Sequence, residues 1–177
     1  MKFQVETWAY CLMPNHIHLI VVPETKDGLN QAIGVAHRRY TRRINFREGW
    51  RGHLWQGRFS SFIMDEGCLL ACTRYVELNP VRSGLVKKPE DWQWNSAGPH
   101  MKGTDDLLVK TKPLLKIVNK SREYFLSIDA QESEIALFRK HERTGRLLGS
   151  DSFIGRMEHL LDRRFKPQKP GPKKKDK

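Results

Sequence analysis

His16 and His18 stand one residue apart in the run Met13-Pro14-Asn15-His16-Ile17-His18-Leu19-Ile20-Val21-Val22-Pro23. Side chains alternate across a strand, so the two imidazoles share one face and Ile17 takes the other. Two neutral rings side by side are half of a metal site, each offering a ring nitrogen. The same pair also suits two hydrogen-bonded structural histidines, and spacing alone does not choose between these. A second grouping lies in Arg74-Tyr75-Val76-Glu77-Leu78-Asn79-Pro80. Tyr75 and Asn79, at i and i+4, stack on one face of a helix. A phenolate is a covalent nucleophile once its proton, with a reference pKa of about 10, is removed. An asparagine amide oxygen one turn away suits an ion. Taken alone, Tyr75 equally suits an amphipathic core tyrosine.

A third grouping is electrostatic. Arg38, Arg39, Arg42, Arg43, Arg47, Arg51 and Arg58 are opposed locally only by Glu48, with Tyr40, Phe46, Trp50, Trp55 and Phe59 interleaved. Arginine grips phosphate bidentately and aromatic rings stack on unpaired bases, a mixture suited to single-stranded or hairpin nucleic acid. A merely solvated helix face mixes both signs of charge, and this one does not. The whole chain agrees: 32 Lys and Arg against 20 Asp and Glu give a net charge of +12 over 177 residues.

The elements that must position these residues follow from periodicity and punctuation. Phe3 to Leu12 and His16 to Val22 read as a hairpin turning at Pro14-Asn15. A helix is expected from about Leu29 to Phe46, with Ile33, Ala36 and Tyr40 on one face and arginines on another. Gly49 to Gly57 reads as loop and Phe59 to Met64 as a short strand. Asp65 is placed to cap a helix from Glu66 to about Leu78, ended by Pro80, whose Leu69, Cys72 and Val76 would dock on the sheet. Trp92 to Ser96 is expected to pack back on the core. Gly98 to Pro113 reads as a linker. Helices are expected near Leu114 to Ser127, Ser133 to Arg143 and Ser152 to Phe165, the last capped by Ser150 or Asp151. The Pro/Lys-rich end, Lys166 to Lys177, is expected to be disordered and to add phosphate attraction.

The 38% hydrophobic content is enough for one core, and no run approaches the roughly eighteen apolar residues of a membrane span. Cys11, Cys68 and Cys72 lack zinc-finger spacing and read as buried thiols of a reduced cytoplasmic protein. A metal hydrolase barrel built around His-x-His needs about 250 residues and many βα units, so it is excluded.

The linked motifs resemble a known family. Ala9-Tyr10-Cys11-Leu12-Met13-Pro14-Asn15-His16-Ile17-His18-Leu19-Ile20 is similar to the signature of the REP-associated tyrosine transposases, bacterial relatives of the single-tyrosine transposases in the His-hydrophobic-His endonuclease superfamily. His53-Leu54-Trp55-Gln56-Gly57-Arg58-Phe59, Arg74 to Arg82, Thr144-Gly145-Arg146 and Leu148-Gly149-Ser150 extend the likeness in order along most of the chain. The resemblance implies that Tyr75 attacks a DNA phosphate and that His16, His18 and Asn79 hold Mg²⁺ or Mn²⁺ against it. It implies single-stranded DNA as partner, notably imperfect hairpins of repetitive extragenic palindromes beside a guide tetranucleotide. Arg38, Arg39, Arg42, Arg43, Trp55 and Arg58 are then the regional DNA contacts. A cytoplasmic, nucleoid-associated monomer or homodimer with no membrane contact follows, and the alternative is a hairpin-binding relative without activity. The implied fold is α+β: a ferredoxin-like antiparallel sheet packed by helices. Family members carry a strand and a helix ahead of the segment matching Ala9–Met13, so this sheet is expected to be incomplete, lacking its first β-α unit. The expected organisation is a catalytic domain over 1–97, a linker over 98–113, a helical DNA-binding region over 114–165 and a basic tail over 166–177.

Overall fold

A computed structural model describes residues 3–118 and 132–166. Strands β1 (Val5–Leu12) and β2 (Ile17–Pro23) form an antiparallel hairpin. Its turn is closed by the Met13 N–H donating to the His16 carbonyl at 2.9 Å. Cys11 faces His18 and Ala9 faces Ile20 across the ladder, and a register shift between Thr7 and Ala9 makes a bulge at Trp8. Ala9, Cys11 and Ile20 therefore lie on one face, the face that His18 shares.

That face receives helix α2 (Glu66–Glu77) through Leu69, Cys72, Tyr75 and Val76, which join Ala9, Cys11, Met13 and Ile20 in one buried cluster. The expected docking face is the observed one. Asp65 caps α2, its Oδ1 accepting from the Cys68 N–H at 3.0 Å. Helix α1 (Gly28–Glu48) slightly exceeds its expected span and stops at Gly49, whose φ of 67° suits the left-handed C-cap. After Leu78 the chain makes one further helical turn, α3 (Asn79–Arg82), with Pro80 near its start. There the proline's missing N–H costs nothing, so it ends α2 without ending helical structure.

The edge of β1 away from β2 is covered by residues 92–110. The Leu12 N–H donates to the Trp94 carbonyl (2.9 Å), the Ser96 N–H to the Tyr10 carbonyl (3.0 Å) and the Lys110 N–H to the Thr7 carbonyl (2.8 Å). Trp92 and Ser96 thus pack back as expected, whereas the Trp94 side chain stays half exposed. The Gly98–Pro113 stretch, expected as a linker, carries helix α4 (Ala97–Lys102), the start of α5 (Thr111–Ile117) and the fully buried Val109. Asp105 and Asp106 organise its backbone: their side chains accept from the N–H groups of Thr111, Leu108 and Val109.

Helix α6 (Glu132–Thr144) falls where expected. Helix α7 (Asp151–Leu161) stops four residues short of the expected Phe165, at Asp162 in the left-handed region with φ 45°. Ser150 caps its start by accepting from the Phe153 N–H. Leu114, Phe138 and Leu148 belong to the same buried cluster as β1 and α2. Phe59–Met64 does not form the expected strand. Met64 makes only an isolated bridge to Leu148, because that edge has no further strand to pair with among the described residues. The expected helix beyond Val118 and the tail beyond Lys166 lie outside the described residues. The architecture is α+β, an incomplete ferredoxin-like fold whose two-stranded sheet is packed by helices, with a helical C-terminal part. Among the described residues no helix is long and apolar enough to cross a membrane.

Candidate active site

His16 lies in the hairpin turn just ahead of β2, which starts at Ile17 rather than at the expected His16. This turn, the strand residue His18 and the docked helix α2 bring His16, His18 and Tyr75 together. The His16 and His18 rings lie 4.8 Å apart, edge to face, and the Tyr75 ring lies 5.5 Å from that of His18. Tyr75 follows Cys72 by three residues on α2, so docking of Cys72 on the sheet aims Tyr75 at the histidine end of the same face. Asn79 begins α3 immediately beyond, its Oδ1 within 3.4 Å of the Ser83 hydroxyl.

Three further groups, which the sequence did not single out, complete the surroundings of Tyr75. Arg82, one turn after Leu78, donates to the Tyr75 carbonyl and holds its guanidinium 4.8 Å from the Tyr75 ring centre. Phe138 of α6 packs on the same ring at 5.3 Å. Glu142, one turn further along α6, places Oε1 3.4 Å from His18 Nδ1. The i, i+4 spacing of Phe138 and Glu142 is legible, but nothing local says which surface that face meets.

The electrostatics follow from these neighbours. Burial, then the facing His18, lowers the His16 pKa against the pull of Glu142, which favours the neutral ring. Burial and the Glu142 carboxylate raise the Tyr75 phenol above its usual value, opposed by Arg139 and Arg82. The donor chemistry fits a divalent ion in part: two adjacent imidazoles, one favoured in its neutral form, with the Glu142 carboxylate beside His18 as an oxygen donor. The Asn79 side chain lies against Ser83 rather than against the histidines. Among the described residues no three His, Cys, Asp or Glu side chains are already grouped as a metal-binding set. The thiols stand apart from this chemistry. Burial pushes Cys11 up to about 12 and Cys68 up to about 11, so both stay protonated and inert.

The expected DNA-contact residues occupy a different surface. Arg38, Arg39, Arg42 and Arg43 project from α1 and are exposed, as is Arg58. Trp55 is only half exposed, stacked on His37 with ring centres 4.0 Å apart. Tyr40, Phe46 and Trp50 are exposed around them.

Residues 1–79 match the family described as transposase IS200-like, and this segment contains His16, His18, Tyr75 and Asn79. A protein of Haemophilus influenzae with the provisional name REP-associated tyrosine transposase is 33% identical over 107 residues. The match covers 53% of this chain and 60% of that relative's length. No solved structure matches the chain.

Proposed function

We propose that this chain, a relative of the IS200-like and REP-associated tyrosine transposases, cuts and rejoins single-stranded DNA through a covalent link on Tyr75. The observation that carries the reading is the meeting of the His16, His18 and Tyr75 rings at 4.8 and 5.5 Å. These residues come from two elements, and a metal-poised phosphate and a nucleophile need that proximity.

In the reaction the Tyr75 oxygen attacks the scissile phosphorus. A phosphotyrosine bond forms at the 5′ side and the P–O3′ bond breaks. The proton lost by the phenol is balanced by one gained by the departing 3′-oxygen. Attack by another 3′-hydroxyl reverses the step and rejoins strands, so no energy cofactor is required. Arg82 and Arg139 oppose the raised phenol pKa and favour the developing phenolate. His16, His18 and Asn79 would hold Mg²⁺ or Mn²⁺, which supplies Lewis-acid withdrawal of charge from the phosphate oxygens. Hairpins of repetitive extragenic palindromes are the proposed substrate, following the relative's name and the arginine-rich surface of α1.

The test is a labelled single-stranded hairpin incubated with the protein and Mn²⁺, then run on a denaturing gel. A band shifted by a covalent adduct is expected. Tyr75→Phe should abolish it while hairpin affinity stays within about twofold, since one hydroxyl is removed from a group that acts in the chemical step. Absence of the adduct with the unaltered protein would leave a hairpin-binding protein without activity.

A further inference from the structure

Between α1 and the loop that follows it lies a cleft of about 320 Å³, lined by His37, Arg38, Thr41, Arg42, His53 and Trp55. It shares no lining residue with the His16–His18–Tyr75 group. His37, Arg38, Thr41 and Arg42 fall at i, i+1, i+4 and i+5, one stripe of the helix. The loop is pinned along that stripe: the Trp50 N–H donates to the Asn45 carbonyl at 2.9 Å, and Asn45 Nδ2 donates to the Gly52 carbonyl at 2.9 Å. Gly52 permits the reversal with a φ of 93°, which other side chains rarely adopt.

Trp55 is fixed inside the cleft rather than free. Its Nε1–H donates to the His37 carbonyl at 3.3 Å, and its ring lies nearly parallel to the His37 ring, at 13°. Tyr40 packs on it at 5.5 Å. Arg38 and Arg42 are exposed beside this aromatic stack, and among the described residues neither forms an ion pair. Like charges at i and i+4 destabilise a helix, so an unrelieved arginine pair here suits a bound anion. The volume lies near the lower limit of small-molecule sites, too small for a duplex and sufficient for one nucleotide.

We infer that this cleft is a nucleotide subsite that takes one unpaired nucleotide of a DNA strand. Its phosphate sits between Arg38 and Arg42, and its base lies against the Trp55–His37 pair. The inference rests on the proposed action on DNA and deepens it, naming where the protein holds an unpaired residue of its substrate.

The test uses the full chain and a short fluorescent oligothymidylate, with affinity read by anisotropy across a salt series. Arg38→Gln with Arg42→Gln, both exposed positions, should reduce the slope of log K against log salt by about 0.7, because the one phosphate held between them is no longer neutralised. Trp55→Leu should weaken binding about tenfold with the slope unchanged, as expected for one lost base stack. An abasic strand should bind the Trp55→Leu variant and the unaltered protein equally. Free thymidine monophosphate should compete weakly; displacement of the strand at micromolar levels would reassign the cleft to a free nucleotide and overturn the strand subsite. Wild-type affinity and slope in the double arginine variant would also overturn it, and that variant does not depend on the packing of Trp55. The covalent-adduct assay separates the two readings. Adduct formation with unaltered binding in these variants removes the subsite alone, whereas weakened binding without any adduct removes the transesterase alone.

Discussion

At the residue scale, Glu77 decides how firmly the site helix is held. It is fully buried, its Oε1 accepts from the Ser96 hydroxyl at 2.5 Å, and the same atom lies 2.5 Å from His100 Nδ1. Its own carbonyl accepts from Asn95 Nδ2 at 2.7 Å. Glu77 stands two residues after Tyr75 and two before Asn79, so this cluster ties the end of α2 to the segment covering β1. Removing one partner of a buried pair strands the others without solvent. Glu77→Ala should therefore destabilise the protein by about 3–5 kcal/mol, read as a lower urea midpoint with an unchanged m value. Glu77→Gln keeps the shape and one hydrogen bond and should cost less. His16, His18, Tyr75 and Asn79 were legible in the sequence because each pair obeys a local period, two for a strand and nearly four for a helix turn. Glu142 and Phe138 were not, since Glu142 meets His18 and Phe138 meets Tyr75 by packing between elements more than sixty residues apart in the chain. Glu77 offered no polar signal of its own. It sits in a helix where a glutamate is ordinarily solvated.

At the element scale, Asp65 joins two helices. Its Oδ1 caps α2, its Oδ2 accepts from the Ser150 N–H at 2.8 Å, and its own N–H donates to the Leu148 carbonyl. The bond from the Ser150 amide leads in holding its carboxyl below the usual range. A lowered folded-state pKa contributes stability that is present above the unfolded value near 4 and is lost as pH falls through the folded value. Asp65→Ala should cost about 1–2 kcal/mol at neutral pH. Its melting temperature should converge on that of the unaltered protein as pH falls below about 4, and a constant gap across that range would count against the assignment. Gly149 is the neighbouring constraint: a Cβ there would come within 2.6 Å of both Asp65 Oδ2 and Phe153 Cδ1. Gly149→Ala should lower the unfolding free energy by about 1–3 kcal/mol, measured by denaturant titration, because neither neighbour is free to move away from its cap or helix. The Asp65 cap was legible because it precedes a helical period. The strand expected at Phe59–Met64 failed because β-rich composition describes a surface that needs an edge, and only Met64 finds one.

At the scale of the whole molecule, the question is whether the C-terminal helices stand on a core of their own. The charge surplus was legible from composition and the hairpin and helices from period, while the α+β class came from what the resemblance implied. The course of residues 92–110 along β1 was not, because its hydrogen bonds join residues more than eighty positions apart and leave no local pattern. The same holds for the core. Phe138 of α6 is 3% exposed and packs in one cluster with Ala9, Cys11, Leu69, Cys72 and Tyr75, which come from β1 and α2. A shared core makes the elements mutually dependent, so their loss of structure should be concerted. Phe138→Ala removes a buried ring from the junction and should destabilise the protein by about 3–5 kcal/mol. For a chain of this length that lowers Tm by roughly 10 °C. The decisive measurement is whether far-UV circular dichroism and tryptophan fluorescence report one coincident transition that moves as a unit. The described tryptophans all lie before α6, so an independent C-terminal unit would melt early by circular dichroism and leave the fluorescence transition in place. A coincident shift instead means that packing between α6 and α2 contributes to the stability of the sheet that carries His16 and His18.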